Sequence, residues 1–184
     1  MSLEHAILVS LRERAASGYE LARRFDKSIG HFWAATHQQI YRTLKRMVEH
    51  GWVTADEVAQ EGRPDKKVYR VSDAGIDELA RWIGEPVDPP ALRNALSVKL
   101  RGASFGDVDA VTAEVTRHRR LHAERLALYR RIEQRDFPDP APLSGRSLHQ
   151  HLVLRGGIRT EQAMLDWCDE ILAALAGKGS RGAG

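Results

Sequence analysis

The chain has 184 residues, 42% of them hydrophobic, and a formal net charge of +3 with a pI near 9.2, which is enough apolar material for one core or two small ones. No apolar stretch is long enough to span a bilayer, no signal-peptide pattern opens the chain, and the single cysteine, Cys168, excludes an internal disulfide framework. A soluble, cytoplasmic protein is expected.

In chain order, Leu3 to Arg14 carries an apolar stripe at Leu3, Ile7, Leu8 and Leu11 and predicts a first helix. Ser17-Gly18-Tyr19-Glu20 is an S-x-x-E capping box that opens a second helix through Leu21, Phe25 and Ile29. From Thr36 to Gly51, Ile40, Leu44, Met47 and Val48 recur at three- and four-residue intervals along one side, while Gln38, Arg42, Lys45 and Arg46 fall on or near the other. Thr36 can cap this third helix, Gln39 can complete the box by reaching back to the Thr36 amide, and Gly51 is a natural stop. Val53 to Val58 and Lys67 to Val71 hold β-branched or aromatic residues on either side of a loop with Gly62-Arg63-Pro64-Asp65, which predicts a two-stranded hairpin. A fourth helix is expected from a Ser72 cap through Ile76, Leu79 and Trp82 to about Gly84.

An α-helix fits the major groove, where arginine or lysine pairs with guanine edges and glutamine with adenine. The outward face of the third helix has that chemistry, although an ordinary solvated face carries the same residue types. Its context favours DNA: three short helices, a hairpin bearing Arg63, Lys66 and Lys67, and a further helix follow the order of a winged helix-turn-helix. The expected fold is therefore mainly α, an N-terminal winged helix-turn-helix with a two-stranded β wing followed by a C-terminal region of long helices.

Three motifs sharpen this. S-G-Y-E-L at Ser17 to Leu21, Q-I-Y-R-T-L-K-R-M at Gln39 to Met47, and Q-E-G-R-P-D-K-K-V-Y-R-V-S-D-A-G from Gln60 to Gly75 resemble, in order and spacing, the PadR family of bacterial transcription regulators. In that family the tyrosine early in the second helix and the tyrosine in the third contact or approach the DNA backbone, and basic wing residues reach phosphates or the minor groove. The resemblance passes those roles to Tyr19, Tyr41, Arg63, Lys66 and Lys67. Thr36, Gln38, Gln39, Arg42, Lys45 and Arg46 complete the candidate DNA-binding set. Many family members have glycine and a small polar residue where this chain has Gln38 and Gln39, a departure that bears on base preference.

Pro86, Pro89 and Pro90 cannot continue a helix and mark a connector. A short helix from Ala91 to Arg101 is expected next. Val108, Val111, Val115, His118, His122, Leu126 and Tyr129 then step by three and four residues like a coiled-coil seam. The loop from Phe137 to Pro142 ends this helix. Ser147 with Gln150 can cap the last one, whose apolar positions include Leu148, Leu152, Ile158, Leu165, Cys168, Leu172 and Leu175. Gly156-Gly157 in its middle costs helix stability and suits a close backbone approach or a kink. The boundaries expected are a DNA-binding domain over 1–86, a helical dimerisation domain over 87–176, and a disordered tail over 177–184. The resemblance implies the longer type of C-terminal dimerisation region, and the two stripes exceed what a small domain with its own core can bury.

No catalytic residue, cofactor or metal is assigned. His118 and His122 have metal-ligand spacing on one helix, but no third ligand stands beside them; partial burial in the helical interface, with pH-sensitive stability, is the plainer reading. The function expected is that of a sequence-specific transcriptional regulator, a repressor acting as a homodimer on a pseudo-palindromic operator. A small aromatic or cationic effector is a further expectation, with Phe32, Trp33 and Trp167 as its candidate walls where the two domains meet. A metal- or acid-sensing helical interaction protein, and a small-molecule-binding module without DNA recognition, remain open as alternatives. Residues 1–86 carry as many acidic as basic side chains, so global charge does not argue for DNA; the local clusters in the third helix and the hairpin do.

Overall fold

In the computed structural model the described residues are 3–27, 35–58, 66–89 and 94–179. They fall into two units, Met1–Pro89 and Pro90–Gly184.

The first unit is built on three short helices, each apolar along one side. Helix α1 spans Leu3–Glu13, α2 Gly18–Lys27 and α3 His37–Glu49. Their inward residues form one core: Ile7, Leu8 and Leu11 from α1, Leu21, Ala22 and Phe25 from α2, and Ile40, Leu44 and Met47 from α3. The expected capping boxes are present. The Ser17 hydroxyl accepts from the Glu20 amide while Glu20 accepts from the Ser17 amide and hydroxyl, and Thr36 and Gln39 exchange the corresponding pair of bonds. Gly51, at φ 72°, takes the left-handed position that follows α3, and the Trp52 amide returns to the Met47 carbonyl.

Strands β2 (Val53–Val58) and β3 (Lys66–Val71) pair antiparallel, Val53 opposite Val71 and Glu57 opposite Lys67. The sheet differs from the two-stranded ribbon expected. A third strand, β1 (Ala16–Ser17), pairs with the other edge of β3, placing β3 in the middle. This strand is only two residues long and ends in the residue that caps α2, so it has no period of its own to reveal it. Its backbone pairing with β3, together with Ala16 in the core, ties the ribbon to the helices.

Helix α4 (Asp73–Ile83) begins at the expected cap, with the Ser72 hydroxyl accepting from the Gly75 amide and donating to the Gly51 carbonyl at 2.5 Å. Trp82 of α4 stacks on the imidazole of His5 in α1, ring centroids 4.6 Å apart, and His5 Nε2 lies 2.9 Å from Glu78 Oε1. Leu79 joins the core.

The second unit contains α5 (Ala95–Arg101), a 3-10 turn at Ala103–Phe105, and two long helices, α6 (Val108–Asp136) and α7 (Gly145–Gly179). Helix α5 is capped by Asn94, and residues 91–93 of the expected helix lie outside the described residues. Helix α6 is capped by Asp107 and runs beyond Tyr129. Helix α7 starts at Gly145, φ 52°, so Ser147 sits inside it and is not its cap; the turn at Gly145 begins the helix two residues before the S-x-x-Q signature. It continues to Gly179, into the expected tail.

Antiparallel packing of α6 on α7 buries two clusters. One joins Leu96 of α5 with Val115, Cys168 and Ile171, and the other joins Leu126 and Tyr129 with Ile158. The glycine pair divides its work. A Cβ on Gly157 would lie 3.1 Å from Tyr129 Cε2, so this glycine admits the Tyr129 ring, whereas Gly156 faces open space. The helix is unbroken there.

Gly75 sets a test of the first unit. A Cβ at this position would lie 2.1 Å from the Trp52 carbonyl oxygen, a backbone atom that cannot swing aside. Gly75→Ala is expected to cost about 2 kcal/mol or more through overpacking. Urea denaturation should show the midpoint lowered with an unchanged slope; a midpoint within error of the parent's would mean that α4 shifts freely against the ribbon.

Candidate nucleic-acid interface

The buried side of α3 consists of Ile40, Thr43, Leu44 and Met47. At 100° per residue this places Gln38, Arg42, Lys45 and Glu49 along the opposite side, and all four are exposed. Among the described residues Arg42 and Lys45 have no ion-pair partner. Gln39 faces solvent at the first turn with its side chain committed to the Thr36 cap. His37 Nε2 lies 2.9 Å from Asp26 Oδ2, linking the start of α3 to the end of α2.

The two tyrosines lie on the flank towards α2. Tyr41 is 46% exposed, and its ring covers Gly18, where a Cβ would come within 2.3 Å of Tyr41 Cε1. The absence of a side chain at the start of α2 therefore lets Tyr41 lie flat against that turn. Tyr19 is also exposed, and the Arg23 guanidinium sits over its ring at 5.8 Å from the centroid. Arg23 was absent from the sequence-derived set, although its spacing of four from Tyr19 on one helix was a readable signal.

The remaining basic candidates differ in their partners. Arg46 is ion-paired with Glu4 of α1, which braces α3 against α1. Lys66 Nζ lies 2.5 Å from Glu20 Oε1 at the start of α2. Arg70, across the ribbon, reaches Asp56 at 3.5 Å. Lys67 is exposed opposite Glu57 in the strand register, without an ion-pair partner among the described residues. Arg63 lies outside the described residues, as do Phe32 and Trp33. Trp167 is half-buried in the second unit, packed against the cluster of Leu96, Val115, Cys168 and Ile171. An open cleft of about 540 Å³ lies instead near the turn between α6 and α7, lined by Glu133, Phe137, His151 and Arg155 among others; sequence reading did not single it out.

His118 and His122 have rings 6.1 Å apart. His122 Nδ1 lies 2.5 Å from Glu161 Oε2 of α7, and His118 Nε2 lies 3.4 Å from Glu114 of its own helix. Among the described residues no cluster of three or more His, Cys, Asp or Glu could hold a metal ion. No described helix is long and apolar enough to cross a membrane.

Three packed helices whose third shows a polar, basic face, followed by an antiparallel ribbon and a fourth helix, define a winged helix-turn-helix. The chain belongs to the PadR-like family of transcriptional regulators: residues 7–81 match that family, and residues 92–176 match the family described as virulence activator alpha C-term. A probable transcriptional regulator of Mycobacterium tuberculosis is 57% identical over 97% of this chain and all of its own length. The Vibrio cholerae virulence activator AphA superimposes with a TM-score of 0.81 at 34% identity, covering 96% of this chain and 99% of that one. PadR of Bacillus subtilis, a negative transcriptional regulator, has been solved with operator DNA; it gives a TM-score of 0.84 at 26% identity over 94% and 98% of the two chains. The same protein with p-coumaric acid gives 0.76 at 25% identity, over 95% of each chain. These are regulators by name, not enzymes.

The Lys66 ammonium, helped by the Ser17 amide, lowers the Glu20 carboxyl from 4.5 to about 2. Because the folded value is the depressed one, this carboxylate's contribution to stability is complete above about pH 4.5 and fades as pH falls towards 2. An NMR titration of the Glu20 side chain should show that depression, and Lys66→Met should move the midpoint up towards 4.5. A midpoint unmoved by Lys66→Met would mean that the pair does not form in solution.

Proposed function

We propose that this chain is a sequence-specific DNA-binding regulator, a repressor that acts as a homodimer with one α3 in the major groove of each half of a pseudo-palindromic operator. The observation that carries the reading is the single outward face of Gln38, Arg42 and Lys45, held in place by a core that buries Ile40, Leu44 and Met47 completely. Amide and guanidinium groups on one helix face suit base edges. Tyr19, Tyr41, Thr36, Gln39, Arg46, Lys66 and Lys67 flank that face and meet the sugar-phosphate backbone in the proposal, with Arg63 of the hairpin tip expected to join them and Arg23 added from the structure. The B. subtilis relative solved with operator DNA supports this reading. The proposed DNA partner supports a cytoplasmic location.

In the same proposal residues 1–86 are the DNA-binding domain and 87–176 the dimerisation domain. Exposed apolar side chains on the second unit support the dimer: Phe105 is 93% exposed, with Val98, Val108, Leu152 and Val153 also open to solvent. Two recognition helices set about one DNA turn apart, roughly 34–36 Å, or a multiple of it, would match a two-fold operator. Repression needs only that the seated dimer obstruct transcription, and one relative is named a negative regulator. A small aromatic effector acts by binding one arrangement of the dimer better than the other, supported by the relative solved with p-coumaric acid.

Selection of bound duplexes from random DNA by the full chain tests the central reading. A two-fold consensus is the expected outcome, and no enrichment would overturn it. On the selected site Arg42→Ala is expected to relax preference at one position per half-site, about 1–3 kcal/mol of discrimination. Lys67→Ala should instead weaken all sequences alike and flatten the salt slope by about one unit; a sequence-dependent loss there would move Lys67 from backbone to base contact. Sedimentation should give a dimer for the parent and a monomer for a Val98→Glu, Phe105→Glu variant, while a dimer that survives both charges lies on another surface.

A further inference from the structure

We propose that Glu20 acts as an internal stand-in for a DNA phosphate, holding Lys66 in a neutral pair and so limiting the protein's grip on DNA of any sequence. The proposal rests on the DNA-binding reading above and assigns a role to an acidic residue within that face.

Glu20 uses its two oxygens separately. Oε2 accepts from the Ser17 amide and hydroxyl, which closes the capping box of α2, and Oε1 receives Lys66 from the first residue of β3. The cap does not need a charge, because glutamine completes such a box as well as glutamate. The other capping box of this unit shows it: Gln39 performs the same return bond to Thr36 at the start of α3. The negative charge at Glu20 therefore has its consequence at Lys66.

The pair also differs from the other ion pair among the candidate DNA-binding residues. Glu4, which holds Arg46, is only 14% exposed against 50% for Arg46 itself, so that carboxylate is enclosed between α1 and α3 and its pair also braces the two helices. Glu20 is 50% exposed and Lys66 29%, beside the exposed Tyr19, so their pair lies at the surface where a phosphate would approach. Exposed pairs contribute little to stability, commonly under about 1 kcal/mol. Their effect on a polyanion is larger. A lysine contributes to DNA affinity by displacing counterions from phosphate, and a lysine already neutralised by a carboxylate at 2.5 Å brings no net charge to that exchange. Each phosphate contact removed lowers affinity for random and operator DNA by a similar increment, while base contacts from Gln38 and Arg42 on an operator are left intact.

The test uses the full chain as parent, Glu20→Gln, Glu20→Ala and the double variant Glu20→Gln, Lys66→Gln, on a random-sequence duplex and on the selected operator, over about 50 to 200 mM salt. Glu20→Gln is expected to bind the random duplex more tightly, with a log affinity against log salt slope steeper by about 0.9, so that its advantage shrinks about 3.5-fold across that range. Glu20→Ala should show the same steeper slope with a lower Tm, separating charge from cap. The double variant should return to the parent's slope. A parent that binds no duplex overturns the DNA-binding reading itself. A parent that binds while Glu20→Gln and Glu20→Ala keep its slope, or bind more weakly, overturns this proposal and leaves that reading standing.

Discussion

The burial of one side of α3 is the constraint from which the rest of the first unit follows. Ile40, Leu44 and Met47 are fully enclosed against Ile7, Leu8, Leu21 and Phe25. Each large aliphatic side chain removed from water contributes about 1.5–3 kcal/mol, so three on one helix outweigh any surface pair by several-fold. Turning α3 by a single residue would carry Arg42 or Lys45 towards the core, where an unpaired charge costs far more than it could regain. Rotation is therefore fixed from the inside, and the chemistry of the outer face is a by-product of packing.

Polar contacts then set position along and between elements. The Ser72 hydroxyl, accepting from Gly75 and donating to Gly51, joins the end of α3 to the start of α4, and the Gly75 position lets the helix sit against the Trp52 carbonyl. In the second unit each of two carboxylates meets a histidine and an arginine across the α6–α7 seam. Glu161 meets His122 at 2.5 Å and Arg125 at 3.3 Å, and Glu133 meets His151 at 3.1 Å and Arg155 at 3.2 Å. Apolar stripes on long helices tolerate sliding by a turn, whereas Glu161, largely buried, would be left unpaired by such a slip. These groups specify register more than they add stability.

What could be read from the sequence was local and periodic. Both capping boxes of the first unit, the apolar sides of α1 and α3, the Ser72 cap and the bounds of β2 depend on neighbours within a few residues, so their signals sit together in the chain. Strand β1 escaped because two residues carry no alternation, and its pairing is made by backbone groups. Ser147 misled for the converse reason: an S-x-x-Q pattern is equally stable inside a helix already begun at Gly145. Of the candidate site, the exposed face of α3 was legible from spacing. The partners of Arg46 and Lys66 were not, since Glu4 and Glu20 lie 42 and 46 residues away and meet them only once the core has formed.

That pairing resolves the apparent conflict between a basic face and a first half with balanced charge. Acidic residues of this unit are spent on particular cations: Glu4 on Arg46, Glu20 on Lys66, Asp56 on Arg70, and Glu78 with Glu85 on Arg81. Arg42, Lys45 and Lys67 are left without such partners among the described residues. A net charge near zero gives little long-range attraction, because distant charges of both signs cancel within about a Debye length, roughly 8 Å at physiological salt. What the pairing leaves on the outer face of α3 and on the ribbon is a set of cations without ion-pair partners among the described residues, Arg42, Lys45 and Lys67, with Glu49 on the same side of α3 and Glu57 opposite Lys67 in the strand register as their acidic neighbours. Under the proposed DNA-binding reading, such a surface would discriminate on contact, with attraction growing only once the helix lies in the groove and its amide and guanidinium groups can test the bases.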